Sequence, residues 1–508
     1  MRSSARPGTS SNLCNCCLCA FVACLLLSGV CSAAPSITLS KKSGPPTSRI
    51  LVSGQGFEAN AAVDIYFDTK DEALVITNGG GEFDDAKAYA PSSARPGQHW
   101  VTAVERDNGS GAQGPFLVRT NWRQFHFDAD GTRVNPFENV LNPRSVVNLD
   151  VKWTYPTHGA IGSSPAVVDG VLYIGGSLFF DNHVYAIEAN TGTLLWSYAS
   201  NGGTVSSPAV AKGVVYFGSA NGSGDGTVYA LNAHTGVPIW TFTTGNWVTS
   251  SPAVVDGVVY VGSYDNNLYA LDASTGAELW AYTTGGLVQS SPTVVNGVVY
   301  FVSTDNYVYA LNSTNGTLLW KSTSGENLSD LAVQEGVVYV GTQSNSIYAL
   351  YAGNGQKLWS YTTPGPVYSA PAVANGVVYV GCDNEYGTLA LNAHTGEKVW
   401  TSLTDSVISS PAVANGVVYV DSMYYNVFAL DARTGAPLWN YLTEDTLSSS
   451  PAVANGVLYA ATFEDEIYAF SLHGDKHVQG TSAGPPDLTT LRRDFNLKAS
   501  QPAATIDR

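Results

Sequence analysis

Basic residues are scarce in this 508-residue chain, where 24 Lys and Arg stand against 41 Asp and Glu for a formal net charge of -17. A surface without a basic footprint excludes nucleic acid or an anionic lipid surface as the main partner. Cysteine is confined almost wholly to one place. Cys14, Cys16, Cys17, Cys19, Cys24 and Cys31 crowd the start, and only Cys382 lies beyond them. No internal disulfide and no cysteine metal cluster is therefore expected in the main body of the protein. Long apolar runs are missing as well. The longest, Leu18 to Leu27, falls short of the ~20 residues that span a bilayer. With Arg2 and Arg6 ahead of it and Ser32, Ala33 and Ala34 behind, it reads as a signal peptide over 1–34. That predicts a secreted, extracellular or periplasmic protein with no transmembrane anchor. The residues before Cys24 and Cys31 match a lipoprotein signal poorly. The chain also has no Gly-rich phosphate loop, HExxH or GxSxG motif. Its eight histidines are scattered, with His234 and His394 at equivalent turn positions.

What the sequence does have is glycine, tyrosine and a period. Its 51 Gly and 28 Tyr suit many strands joined by tight turns. Trp153, Trp196, Trp240, Trp280, Trp320, Trp359, Trp400 and Trp439 recur every 39 to 44 residues. So does "SPAV", beginning at Ser164, Ser207, Ser251, Ser291, Ala370, Ser410 and Ser450 with small variations, while "DLAV" at Asp330 fills the remaining place. Each unit reads as four short strands; in the third they fall near 249–255, 258–263, 267–272 and 277–283. Gly192, Gly236, Gly276, Gly316, Gly355, Gly396 and Gly435 mark the turn before the fourth strand. One tryptophan per repeat is assigned a structural role, covering the turn glycine of a neighbouring sheet.

Counting strands predicts an all-β fold, an eight-bladed β-propeller over 146–474. The eighth unit lacks its closing "LW" strand, and "NLDVKWTY" before the first unit supplies it. Such an N-terminal strand closes the ring and removes the sheet edges that a linear array would expose.

The Ala/Leu…Thr-Gly…Leu-Trp signature at this period resembles the quinoprotein-like β-propeller family, whose repeat is named after pyrroloquinoline quinone (PQQ). The resemblance covers about 146–474. That family includes quinone-dependent alcohol dehydrogenases, non-catalytic outer-membrane assembly scaffolds and extracellular sensor domains, so membership alone does not imply quinone binding. Residues 35–118 are a separate small β-sandwich, and "VSGQGF" and "PGQHWVTAVE" resemble an immunoglobulin-like module. Residues 119–145 carry Trp122, Phe125, Phe127 and Phe137. They are expected to pack on the propeller rim or face. The 475–508 tail is polar and expected to be partly disordered.

Chemistry is harder to find. The residue three before the repeat proline varies: Gly162, Val205, Thr249, Gln289, Leu328, Tyr368, Ile408 and Ser448. The next position is a full ring of serines (Ser163, Ser206, Ser250, Ser290, Ser329, Ser369, Ser409, Ser449), best explained by hydroxyls bonding nearby backbone. The resemblance implies, for an enzyme of the family, a ligating Glu, an Asn, an Asp base and an adjacent cysteine pair around PQQ and Ca²⁺. Here there is no such pair, and the variable positions carry no charge. No catalytic residue, metal site or cofactor is therefore assigned; PQQ with Ca²⁺ belongs only to an alternative reading as an oxidoreductase acting on alcohols or sugars. Glu326 and Asp330, at the one clear departure from "SPAV", are ligand-binding candidates. Trp247, Gln289, Tyr368 and His158 are expected to line the same mouth. The leading expectation is a secreted or cell-surface, non-enzymatic scaffold that presents propeller loops to a protein, glycan or envelope partner.

Overall fold

A computed structural model describes residues 34–177, 181–204, 206–222, 224–323, 328–383, 387–447, 449–473, 485–488 and 491. The 1–33 segment with its predicted signal peptide, and Glu326, lie outside the described residues.

Eight antiparallel sheets, each with the four repeat strands, form the propeller. The first blade is Ala166–Val168, Val171–Gly175, His183–Glu188 and Leu194–Ala199, numbered from the axis outward. In the third blade the innermost strand is only Ala253–Val255. It is shorter than the sequence predicts, because Pro252 has no N–H and Ser250 and Ser251 are engaged elsewhere. The other three, Val258–Gly262, Asn267–Asp272 and Glu278–Thr283, fall within a residue of the expectation. Tight turns use the residues that tolerate positive φ: Asn266 at 71° and Asn306 at 69°.

Blade-to-blade packing follows the tryptophan. Trp240 donates its Nε1–H to the Ala273 carbonyl of the next blade at 3.0 Å, and Tyr216 donates its hydroxyl to the same oxygen at 2.9 Å. Its ring lies against Gly276, where φ is +73° and an added Cβ would sit 2.6 Å from the indole. Only glycine satisfies both demands. The same Trp–Gly contact recurs at each of the seven turn glycines named above.

The ring closes as the strand count requires. Leu149–Pro156 pairs antiparallel with Glu466–Leu472, making it the outermost strand of the eighth blade. Across the seam Trp153 and Tyr459 both donate to the Ala189 carbonyl. Trp439 donates to Leu149, in the closing strand itself.

Ahead of the ring, Ser36–Leu39, Arg49–Gln55 and Phe83–Tyr89 form one sheet. Five strands between Ser43 and Val118 form the other. Ile50, Val52, Ile65, Phe67, Val101 and Phe116 fill the space between them. This sandwich docks on the propeller: Arg119 meets Asp169 at 2.9 Å, and Asn139 donates to the Ser92 and Ala94 carbonyls. Part of the C-terminal tail returns to the sandwich, where Leu488 and Leu491 pack on Tyr66 and Val104.

Candidate functional site

A propeller's ligands meet it at the axis or on a face. The innermost strand of each blade presents an edge N–H toward the channel, and something must accept it. Residues 122–135 do. Val167 donates to Trp122, Val210 to Arg123, Val294 to Ala129, Val333 to Asp130, Val373 to Thr132 and Val413 to Arg133, at 2.7–3.0 Å. At the third blade Val254 N donates to Gln124 Oε1, and at the eighth the direction reverses, with Asn135 Nδ2 donating to the Val453 carbonyl. Val134–Asn135 even adds a fifth strand to the seventh blade. The segment thus visits all eight blades in order and stoppers one end of the channel. It was expected on the rim or face; it goes into the channel because the ring of unpaired edge amides is there. Trp122 is 1% exposed and Phe127 9%.

Above this plug lie two serine circuits. The predicted ring binds within each blade, as where Ser163 Oγ accepts from Gly175 N at 2.7 Å and donates to its carbonyl. The repeat-motif serines bind between blades. Ser164 N donates to Ser207 Oγ, Ser207 N to Ser251, Ser251 N to Ser291 and Ser291 N to Asp330 Oδ1. Ala370 N donates to Ser410, Ser410 N to Ser450, and Ser450 N back to Ser164. Asp330 is the one carboxylate in this circuit.

Asp330 therefore faces the axis by register. With Gln289 and Tyr368 it lines an open cavity of about 240 Å³, along with Leu328, Thr304 and Gln343. Burial pushes its carboxyl up to about 6, opposed by the Ser291 hydrogen bonds and the Arg133 charge, although 21% of the side chain still faces the cavity. Three of the sequence candidates thus come together. Trp247 does not join them: its Nε1–H is held by the Asn221 carbonyl and its ring tilts on Tyr264. His158 sits at the first blade beside His183, with ring centroids 4.8 Å apart.

Sequence reasoning missed the polar groups beneath Asp330. Arg133, fully buried, donates to the carbonyls of Phe125, Pro411 and Pro451. Burial lowers its pKa to about 9, against the opposing charges of Asp421 and Asp330. His126 Nε2 is 4.0 Å from Asp330 Oδ2, and burial followed by the Arg133 charge lowers its pKa to about 3, so it is neutral. Asp421 is fully buried with neither carboxylate oxygen bonded, and burial raises its pKa well above the usual range. It stands where five other blades have the glycine of "YVGS" and the remaining two have Val302 and Ala461, a departure that was legible. Nothing in a single sequence marks Arg133 or His126, which belong to no repeat.

The two faces differ. On one, the linker meets the turns after the innermost strands of the seventh and eighth blades: Thr120 binds Asn455, Glu138 accepts from Gly456 N, and Asn415 donates to Leu141, while the matching turns at Lys212, Asp256, Asn296, Glu335 and Asn375 stay exposed. On the other, the interblade loops join the hairpins between second and third strands, as where Met423 N donates to Ser406 and Phe463 N to Thr446. That face is open and carries the axial cavity. It exposes Leu403 (70%), Leu442 (66%) and Tyr424 (61%), with Met423, Tyr425 and Phe463 beside them. Carboxylates crowd the same loops, and Asp445 raises the pKa of Glu464.

This architecture defines a PQQ-repeat β-propeller. Residues 120–246, 224–332 and 307–478 match the family described as outer membrane protein assembly factor BamB, and the chain belongs to that family. No curated protein matches at the sequence level. Among solved structures the chain is similar to a europium-containing methanol dehydrogenase (15% identity, TM-score 0.60, covering 70% of this chain and 98% of that one). It is also similar to a quinohemoprotein alcohol dehydrogenase from Pseudomonas putida HK5 (18%, 0.60, 72% and 82%). A third is BamB from Moraxella catarrhalis (16%, 0.55, 64% and 99%). At such identities the likeness shows the fold alone.

The fold family raises the question of PQQ and Ca²⁺, and the described residues of this cavity do not fit them. A polyanionic quinone in the axial cavity would meet amides, hydroxyls and the Asp330 carboxylate. The nearby Arg133 has its guanidinium buried against three carbonyls, and His126 is neutral. Ca²⁺ takes six to eight oxygens, commonly several carboxylates, and among the described residues Asp330 is the one acid that lines this cavity.

Proposed function

We propose that this chain is a secreted or cell-surface, non-enzymatic recognition scaffold that binds a protein partner through the open face of its propeller. One observation carries the reading: the chain stoppers one end of the axis with its own residues, while the loops of the opposite face group large exposed apolar side chains among carboxylates. Large exposed aromatics grouped on neighbouring loops are what a partner's hot-spot contacts need. Their acidic surroundings favour a partner with Lys or Arg at its rim. The sandwich fixes how far the linker-side face stands from whatever lies behind it.

The test compares immobilised wild-type protein with two variants. One carries Met423→Ser, Tyr424→Ser and Tyr425→Ser on the open face; the other carries Arg119→Ser on the linker-side face. A partner retained by the second and lost by the first supports the reading. Stoichiometric PQQ and Ca²⁺ binding with dye-linked alcohol oxidation would replace it with the oxidoreductase alternative.

A further inference from the structure

The hairpin between the second and third strands is built around one recurring pair. In the third blade, Tyr269 donates its hydroxyl to Asp265 Oδ2 at 2.8 Å, and Asn267 N donates to Asp265 Oδ1 at 3.1 Å. The fourth blade repeats this with Tyr309, Asp305 and Tyr307 N. In both, a glycine N–H of the incoming loop completes the carboxylate, Gly245 on Asp265 and Gly285 on Asp305. The first blade keeps the pair, with Tyr185 donating to Asp181 Oδ2 at 2.6 Å and His183 N to Oδ1 at 2.9 Å. Two imidazoles are added to it. His183 Nδ1 lies 2.7 Å from Asp181 Oδ1, and His158 Nδ1, from the loop after the closing strand, lies 2.6 Å from the Tyr185 hydroxyl.

The hairpin does not need these rings, because the third and fourth blades fold it without them. Their protons are dictated by the network. A carboxylate only accepts, so Tyr185 donates to Asp181 and His183 Nδ1 carries a hydrogen toward it. With its own hydrogen committed, the Tyr185 oxygen accepts from His158 Nδ1. A buried carboxylate and two imidazoles from separate segments are thus held at one point, with ligand-type atoms all within 4.8 Å of one another. Asp181 is buried, His183 half-buried and His158 exposed, so the cluster opens to solvent on the open face.

From this juxtaposition we infer that His158, Asp181 and His183 form a binding site for a divalent transition-metal ion of the Zn²⁺ class. Two imidazole nitrogens and one carboxylate oxygen are the donor set that such ions prefer over Ca²⁺ or Mg²⁺. The ion takes the place that the Nδ1 hydrogens hold in the metal-free network. Zinc bonds of about 2.0–2.2 Å bring tetrahedral ligands to roughly 3.3–3.5 Å apart, so the widest separation in the cluster shrinks by up to about 1.4 Å. The exposed His158 loop supplies that movement. Tyr185 keeps donating to the far carboxylate oxygen and orients Asp181, the supporting role that outer hydrogen bonds play at metal sites. Three protein ligands leave a fourth position for water or a donor from a bound molecule. The site does not rest on the proposed partner recognition.

The experiment is titration of the full chain with Zn²⁺ by calorimetry, and with Co²⁺ followed by its visible absorption. Wild type, His158→Ala, His183→Ala and Tyr185→Phe are compared, with His234→Ala as a control and circular dichroism to confirm folding. The site predicts one saturable equivalent in wild type and the control that is absent from both histidine variants, and roughly 10–100-fold weaker binding in Tyr185→Phe. Ions taken up elsewhere on the chain, including by the N-terminal cysteines, cancel in the comparison. Equal binding in wild type and the folded His158→Ala variant would overturn the site, as would no saturable equivalent in wild type. His158 is exposed, so its variant remains a fair test if the Tyr185 change fails to fold.

Discussion

Replacing Asp330 by serine restores the residue that the repeat uses at six other blades, and the change should stabilise the protein at neutral pH. Burial holds the Asp330 carboxyl at about 6 in the folded chain, against 3.8 for the free group. A raised carboxyl means that the folded protein binds the proton more tightly than the unfolded one. Stability is therefore undiminished below pH ~3.8 and falls as the pH rises through 6. The full penalty is about 2.2 pH units, or roughly 3 kcal/mol at pH 7.5, shrinking to about 0.6 kcal/mol at pH 4. Serine still accepts from Ser291 N, as Ser207 accepts from Ser164 N, and brings no charge. For a propeller of about 320 residues, 3 kcal/mol corresponds to a Tm rise of roughly 4 °C. Scanning calorimetry of wild type and Asp330→Ser at pH 7.5 and pH 4, at one scan rate, measures it. A gain of equal size at both pH values, or a loss at pH 7.5, would refute the electrostatic argument.

Other outcomes follow from the same geometry. Trp240→Ala removes an interblade ring and the donor to Ala273, and should cost roughly 3–5 kcal/mol by thermal or denaturant unfolding. Arg133→Met leaves the Phe125, Pro411 and Pro451 carbonyls unmet and Asp421 without its nearby cation; a similar loss is expected, with faster proteolysis within 119–135. Pairing that change with Asp421→Gly should recover part of the loss, which a double-mutant cycle reads directly. Burial pushes the Cys382 thiol up to about 12. Iodoacetamide at pH 8 should leave Cys382 unmodified in peptide maps of the folded chain and label it after unfolding.

Much of the ring was legible because each structural device is repeated. The Trp–Gly pairing and the strand borrowed for the eighth blade are period features, visible wherever eight copies can be compared. Departures from the period were legible too: Asp330 drew attention because seven other units differ there, and Asp421 deserved the same notice. The plug was not, since 122–135 has no counterpart in any blade and binds mainly through backbone carbonyls, which leave no side-chain signature. His158 was a candidate on its own, but its pairing with His183 was hidden for a related reason. They lie 25 residues apart on either side of the first blade's two inner strands, and only the ring closure brings the loop after the closing strand over that blade's hairpin.

The chain seals its own ring and stoppers one end of its own channel. Amide hydrogen exchange read by mass spectrometry on peptides covering 122–135 and 149–156 tests it most directly. Both stretches should exchange as slowly as the propeller strands they bond to, Ala412–Ala414 for the first and Glu466–Leu472 for the second, and slower than the exposed 423–425 loop. Exchange of either stretch at the rate of an unstructured linker would contradict the account.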